Sequence, residues 1–90
     1  MNAKARKLSS ILVNRGDVFE YVKPGSAFRR LHSGRMVETA EILSVYTDGV
    51  GIPHVRFDVI FDKPQRPQYR DGPRILAVKT FFENYRERVS

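Results

Sequence analysis

Residues 54–62 read His-Val-Arg-Phe-Asp-Val-Ile-Phe-Asp, and this stretch decides the fold. Apolar residues at positions 55, 57, 59 and 61 alternate with residues that are polar, with the single exception of Ile60. A period of two is typical of a strand with one face buried in a core and the other in water. Four apolar side chains form the buried face: Val55, Phe57, Val59 and Phe61.

The preceding residues 35–47 are also β-like, and the two stretches predict a long hairpin across the turn-rich residues 48–53. The apolar parity changes inside this first strand, since Ala40 and Ile42 fall on one face and Leu43 and Val45 on the other. A strictly alternating strand cannot bury both pairs on one side. We therefore predict a β-bulge or sharp bend near Ile42, of the kind that lets a short sheet curl.

The remaining segments add short elements. Residues 18–23 predict a strand after a Gly-Asp turn, and residues 27–32 predict either a short strand or an irregular return. Residues 63–73, with three prolines, predict a long loop, and residues 74–79, apolar on both faces, predict a central strand. Thr80 and Glu83 have the spacing of a capping box, which predicts a C-terminal helix over residues 81–89.

These elements predict a mostly β fold with a short C-terminal helix. Our first choice is a small SH3-like, partly open barrel, and an OB-like barrel is the second. Residues 15–19, Arg-Gly-Asp-Val-Phe, resemble the first strand of many SH3-like domains. We expect residues 1–15 to form a basic arm or short helix and residues 16–90 to form one barrel domain.

The composition limits the possible environments of the chain. Ninety residues without cysteine exclude disulfides and cysteine-based metal sites, and favour the cytoplasm. The longest apolar run is residues 75–78, far short of the roughly 20 residues of a transmembrane helix. We expect no membrane partner, and the sequence does not indicate an oligomeric state.

The net charge of +6 is unevenly distributed. Basic residues are concentrated in residues 1–16, which contain no acidic residue, and in residues 63–74. A concentrated positive charge favours an anionic partner, which we expect to be RNA, DNA or an acidic protein surface.

The predicted loop is the first candidate site. Lys63, Arg66, Arg70 and Arg74 are expected to contact phosphates, and Tyr69 is expected to stack on a base. The alternative is a solvated loop whose tyrosine packs on its own barrel.

A second basic cluster lies at residues 28–35, where Arg29, Arg30 and Arg35 are expected to extend the same surface. The alternative is a turn made soluble by arginine. Together the two clusters predict a weak nucleic-acid-binding module, with a protein-interaction module as the rival hypothesis.

No motif in the sequence indicates an enzyme, a cofactor or a metal site. His32 and His54 lie in unrelated patterns and have no metal-binding spacing. One enzymatic alternative remains: a small basic ribonuclease of the toxin type, in which His32 among arginines would supply the acid–base chemistry.

Overall fold

The computed structural model describes residues 21–89. This part of the chain forms one antiparallel sheet with the strand order β4-β3-β2-β1-β5, and a short helix, α1, lies between β4 and β5 in the chain. The mostly β prediction is therefore confirmed. The elements are β1 (Ala27–Leu31), a 3-10 turn (Ser33–Arg35), β2 (Val37–Thr47), β3 (Pro53–Asp62), β4 (Tyr69–Ala77), α1 (Val78–Asn84) and β5 (Glu87–Arg88).

The described strands form an open sheet. Strands β4 and β5 lie at its two ends and are not paired with each other, so the sheet is not closed into a barrel. The SH3-like or OB-like barrel is accordingly not confirmed. The predicted basic arm, residues 1–15, lies outside the described residues, as does the first half of the strand predicted at residues 18–23. The described half of that strand, residues 21–23, is not part of the sheet.

The hairpin of β2 and β3 is the centre of the sheet. Val55, Phe57 and Val59 are fully buried, and Arg56 between them is exposed, as the alternation predicts. The β2–β3 register shifts between Ile42 and Ser44, which confirms the predicted bulge. A bulge adds one residue to a strand and so moves the following side chains to the other face.

One face of the sheet is covered by α1. Val78, Phe81, Phe82 and Tyr85 have the helical spacing i, i+3, i+4, i+7 and are all buried. The three aromatic rings among them pack against Phe28 and Phe57, with ring centroids 5.1–5.7 Å apart. None of the elements described at residues 21–89 covers the opposite face of the sheet, which carries ion pairs.

The predicted C-terminal helix is present, but it covers Val78–Asn84 rather than residues 81–89, so it begins three residues and ends five residues earlier than predicted. The apolar stripe starts at Val78, whose burial outweighs the capping box at Thr80. Ala77 occupies the N-cap without a side-chain hydrogen bond. Residues 87–88, expected in the helix, pair with β1 instead.

Strand β4 differs most from the prediction. It begins at Tyr69, so the loop between β3 and β4 covers only residues 63–68. It also lies at one end of the sheet rather than at its centre, and Ile75 is 53% exposed. An end position explains how β4 can contain Pro73, because proline has no backbone N–H to donate and is tolerated on a strand with one unpaired side.

No helix among residues 21–89 combines the length and apolar character needed to cross a bilayer.

Candidate nucleic-acid interface

A pocket of about 320 Å³ opens beside the loop that joins β3 to β4. Phe61 near the end of β3 and Tyr69 at the start of β4 are direct cross-strand partners, so their rings lie on the same face of the sheet. Their ring centroids are 6.1 Å apart with an interplanar angle of 27°. The pocket is lined by Met36, Phe61, Lys63, Arg66, Pro67 and Tyr69.

Tyr69 provides an accessible aromatic surface in this pocket. Its side chain packs on Phe61 from one side, yet the residue remains 62% exposed. Large aromatic residues are usually buried in a domain of this size, as Phe28, Phe57 and Phe81 are in this protein. An exposed ring that is fixed by a neighbour is a suitable surface for stacking another flat group.

Two cations line the same pocket. Lys63 and Arg66 are exposed, and neither forms an ion pair with any of residues 21–89. The Arg66 backbone amide donates a hydrogen bond to the Lys63 carbonyl at 3.3 Å, and Gln65 between them has a positive φ of 61°. This tight turn holds both cations on a short segment beside Tyr69.

Arg74 adjoins the pocket but its charge is compensated. Its guanidinium carbon lies 6.0 Å from the centroid of the Phe61 ring. One Nη donates a hydrogen bond of 2.9 Å to Asp71, and this bond lowers the pKa of the Asp71 carboxyl. Arg74 therefore contributes less free positive charge than Lys63 or Arg66 does.

A buried polar cluster lies next to the pocket, centred on Glu38. Glu38 is 2% exposed and is the direct cross-strand partner of Phe61. Arg30 donates two hydrogen bonds to the carboxylate, at 2.9 and 3.3 Å. The Tyr85 hydroxyl donates another, and the His32 Nε2 lies 2.7 Å from Oε1.

Arg30 connects this cluster to the helix. Its Nη1 donates to the Asn84 side-chain oxygen at 2.8 Å, and its guanidinium carbon lies 4.9 Å from the Tyr85 ring centroid. All donors of the cluster converge on one buried carboxylate, which is the arrangement that makes a buried charge tolerable.

The cluster shifts two pKa values in opposite directions. Burial by itself would raise the pKa of Glu38, but hydrogen bonds from Arg30, Tyr85 and His32 outweigh burial and hold that pKa below its ordinary value. Burial, followed by the hydrogen bond to Glu38, raises the pKa of Tyr85. The cluster thus holds an ionised carboxylate and a protonated phenol.

The structure brings together only part of the predicted basic site. Lys63, Arg66 and Tyr69 line one pocket, and Arg74 adjoins it. Arg70 lies on the opposite face of the sheet, where it forms ion pairs with Glu41 at 3.0 Å and Asp58 at 3.3 Å.

The second predicted cluster does not form one surface. Arg29 faces away from the pocket and pairs with Glu87, and Arg30 is bound to Glu38. Arg35 is exposed and precedes the pocket residue Met36 in the chain. The strand alternation of β1 separates Arg29 from Arg30, since neighbouring residues point to opposite faces.

Sequence reasoning missed several residues of the site. The alternating pattern places Phe61 in the core, and it indicates no functional role for Met36 or Glu38. The alternation of side chains along β2 would have indicated a role for Glu38. This residue shares a face of the strand with Ala40 and Ile42, so its side chain is buried with theirs. A buried carboxylate requires partners, which would have directed attention to Arg30 and His32.

Comparisons of the chain with protein-family models, with curated proteins and with solved structures found no match.

Proposed function

We propose that the protein is a small binding module for single-stranded nucleic acid. One base stacks on Tyr69 in the pocket, and the adjoining phosphates contact Lys63 and Arg66. The observation that carries the proposal is the shared pocket: an exposed aromatic ring, fixed on Phe61, lies beside two cations that have no acidic partner among residues 21–89.

The chemistry of the pocket supports a nucleotide. Stacking of a base on an aromatic side chain contributes roughly 1–3 kcal/mol and tolerates any base. Cations that contact phosphates release counterions from the nucleic acid, which favours binding at low salt. A pocket of about 320 Å³ is at the small end of ligand sites, which span about 300–1,000 Å³.

A single strand fits better than a duplex. The bases of a duplex are already stacked on one another and cannot enter a pocket beside a sheet. An unpaired base can leave its strand and stack on Tyr69. We therefore expect binding to fall when the same strand is annealed to its complement.

The test is a salt titration of binding to a fluorescent single-stranded oligonucleotide. For single strands, the slope of log K against log salt is negative and becomes steeper by about 0.7 for each phosphate contact. Replacement of Lys63 and Arg66 together by alanine should therefore make the slope shallower by about 1.4 and weaken binding at low salt.

The matched control replaces two exposed cations elsewhere, Arg56 on β3 and Lys79 on α1, by alanine. This control removes the same net charge and should leave most of the affinity intact. Equal losses in the two double variants, or no binding by the wild type at low salt, would overturn the proposal. In the second case an acidic protein partner becomes the hypothesis to pursue.

A further inference from the structure

We infer that His32 is the general base of an RNA-cleaving site beside the pocket, held in position by Glu38. The inference rests on the proposed function, because the strand must first be held on Tyr69. It adds a chemical step and a substrate class, RNA, to a site that would otherwise only bind.

The His32–Glu38 pair has the geometry of an oriented base. The imidazole Nε2 lies 2.7 Å from the Glu38 carboxylate, which can only accept a hydrogen bond when it is ionised. Nε2 of the neutral ring must therefore carry the proton, and Nδ1 is left with its lone pair. A carboxylate that fixes the tautomer of a histidine in this way also stabilises the imidazolium formed during catalysis.

Glu38 itself is held from the other side. Arg30 and Tyr85 both donate to its carboxylate, and Tyr85, which directly follows α1, lies 47 residues further along the chain. Glu38 is 2% exposed, whereas the His32 side chain is 32% exposed. The pair thus has a rigid buried partner and a partly accessible base, and Arg30 and Tyr85 are positioning residues.

Two contacts link this pair to the pocket. The His32 backbone amide donates a hydrogen bond of 2.9 Å to the carbonyl of Met36, which lines the pocket. Glu38 is the cross-strand partner of Phe61, the ring on which Tyr69 stacks. A strand that is held on Tyr69 and runs across the sheet past Met36 would bring its next nucleotides to the imidazole.

The proposed step is an intramolecular transesterification of RNA. Nδ1 of His32 takes the proton from a ribose 2′-hydroxyl, and the 2′ oxygen forms a bond to the adjacent phosphorus. The bond from phosphorus to the 5′ oxygen breaks on the opposite side of the phosphorus, the 5′ oxygen takes a proton from solvent, and the imidazolium returns its proton to solvent. The products are a 2′,3′-cyclic phosphate and a 5′-hydroxyl, with no water consumed and no redox change.

The substrate class follows from this chemistry. DNA lacks the 2′-hydroxyl, so it binds in the pocket but cannot react. Lys63 and Arg66 lie where they can stabilise the negative charge that develops on the phosphate oxygens. Tyr85 does not act as the acid, because its hydroxyl is buried and committed to Glu38.

The experiment uses the full chain and two labelled oligonucleotides of one sequence, an all-DNA strand and the same strand with one ribonucleotide. Binding is measured by anisotropy on the DNA strand, and cleavage by mass spectrometry of the products. We expect cleavage only at the ribonucleotide, with a 2′,3′-cyclic phosphate end. His32→Ala should reduce the rate by roughly 10²–10⁴-fold while DNA binding is unchanged.

Two further variants complete the test. His54→Ala, at the other histidine of the chain, should cleave at the wild-type rate. His32→Gln keeps an amide donor toward Glu38 but has no base, and it replaces His32→Ala if that variant does not fold.

The outcomes separate the two proposals. DNA binding without any cleavage overturns the RNA-cleaving site and leaves the proposed function standing. Cleavage that persists in the folded His32 variant also overturns it. No binding of either strand overturns the proposed function itself.

Discussion

The Tyr85 hydroxyl donates a hydrogen bond to the carboxylate of Glu38, which lies 47 residues earlier in the chain. Tyr85 directly follows α1 and Glu38 lies on β2, so this bond ties the end of the helix to the centre of the sheet. Both residues are almost completely buried. The contact therefore belongs to the core of the protein as well as to the cluster beside the pocket.

Tyr85→Phe should destabilise the fold. The substitution keeps the ring that packs on Phe81 and Phe57 but removes the donor to a buried carboxylate. A hydrogen bond to a charged group contributes about 1.5–3 kcal/mol, and we expect the free energy of unfolding in urea to fall by that amount. Tyr46→Phe is the control, since Tyr46 is 41% exposed and should change stability by less than about 0.5 kcal/mol. Equal effects would contradict the importance of the buried bond.

Stability should fall on acidification, in part through Glu38. Its pKa in the folded protein is below the unfolded value of about 4.3, so its contribution is complete above that value. The contribution is lost as the pH falls through the folded pKa. Urea unfolding at a series of pH values from about 7 to about 2 measures this dependence.

Glu38→Gln is the matched variant for the pH series, and its stability should fall less steeply in acid. The dependence should not vanish, because two other carboxyls among residues 21–89 have lowered pKa values. The Ile52 backbone amide lowers the pKa of Asp48, and the Arg74 guanidinium lowers the pKa of Asp71. An acid profile of Glu38→Gln parallel to the wild type would show that Glu38 does not contribute.

Gly72→Ala should destabilise β4. Gly72 has a φ of +139°, and a Cβ at this position would lie 2.8 Å from Asp58 Oδ1 and 3.1 Å from the Asp58 Cα. The backbone strain and the collision should together reduce the free energy of unfolding by about 1–3 kcal/mol. Gly49→Ala is the control, because no atom lies within 4 Å of a Cβ there. A neutral Gly72→Ala would contradict the close approach of β4 to β3.

The sequence predicted the hairpin because local pattern and tertiary burial agree there. Only one pairing register of the strand buries Val55, Phe57 and Val59 on the same face. The change of the buried face at Ile42 requires a bulge. Both features depend on residues that are neighbours in the chain. Pattern reasoning is strongest in such cases.

The sequence did not predict the start of β4, its place at the end of the sheet or the extent of α1, because all three depend on distant partners. Residues 69–73 contain glycine and proline, which favour a loop, but pairing with β3 holds them in a strand at the end of the sheet. Pairing with β1 likewise draws Glu87 and Arg88 out of the expected helix. The predicted basic clusters consist of residues that are close in the sequence. The alternation of side chains along β1 and β4, however, places Arg29 and Arg70 on the face of the sheet opposite the pocket.

Tyr69→Ala should weaken nucleic-acid binding without changing its salt dependence. The substitution removes a stacking surface worth roughly 1–3 kcal/mol, which corresponds to a loss of affinity of about fivefold to 150-fold. It removes no charge, so the slope of log K against log salt should match the wild type.

Tyr69→Phe, which keeps the ring, should bind as the wild type does. Tyr46→Ala, at a ring that stacks on His54 with a centroid distance of 5.5 Å, is the control for loss of an exposed tyrosine elsewhere. If Tyr69→Ala binds normally, the phosphate contacts hold the strand alone, and the pocket does not receive a base.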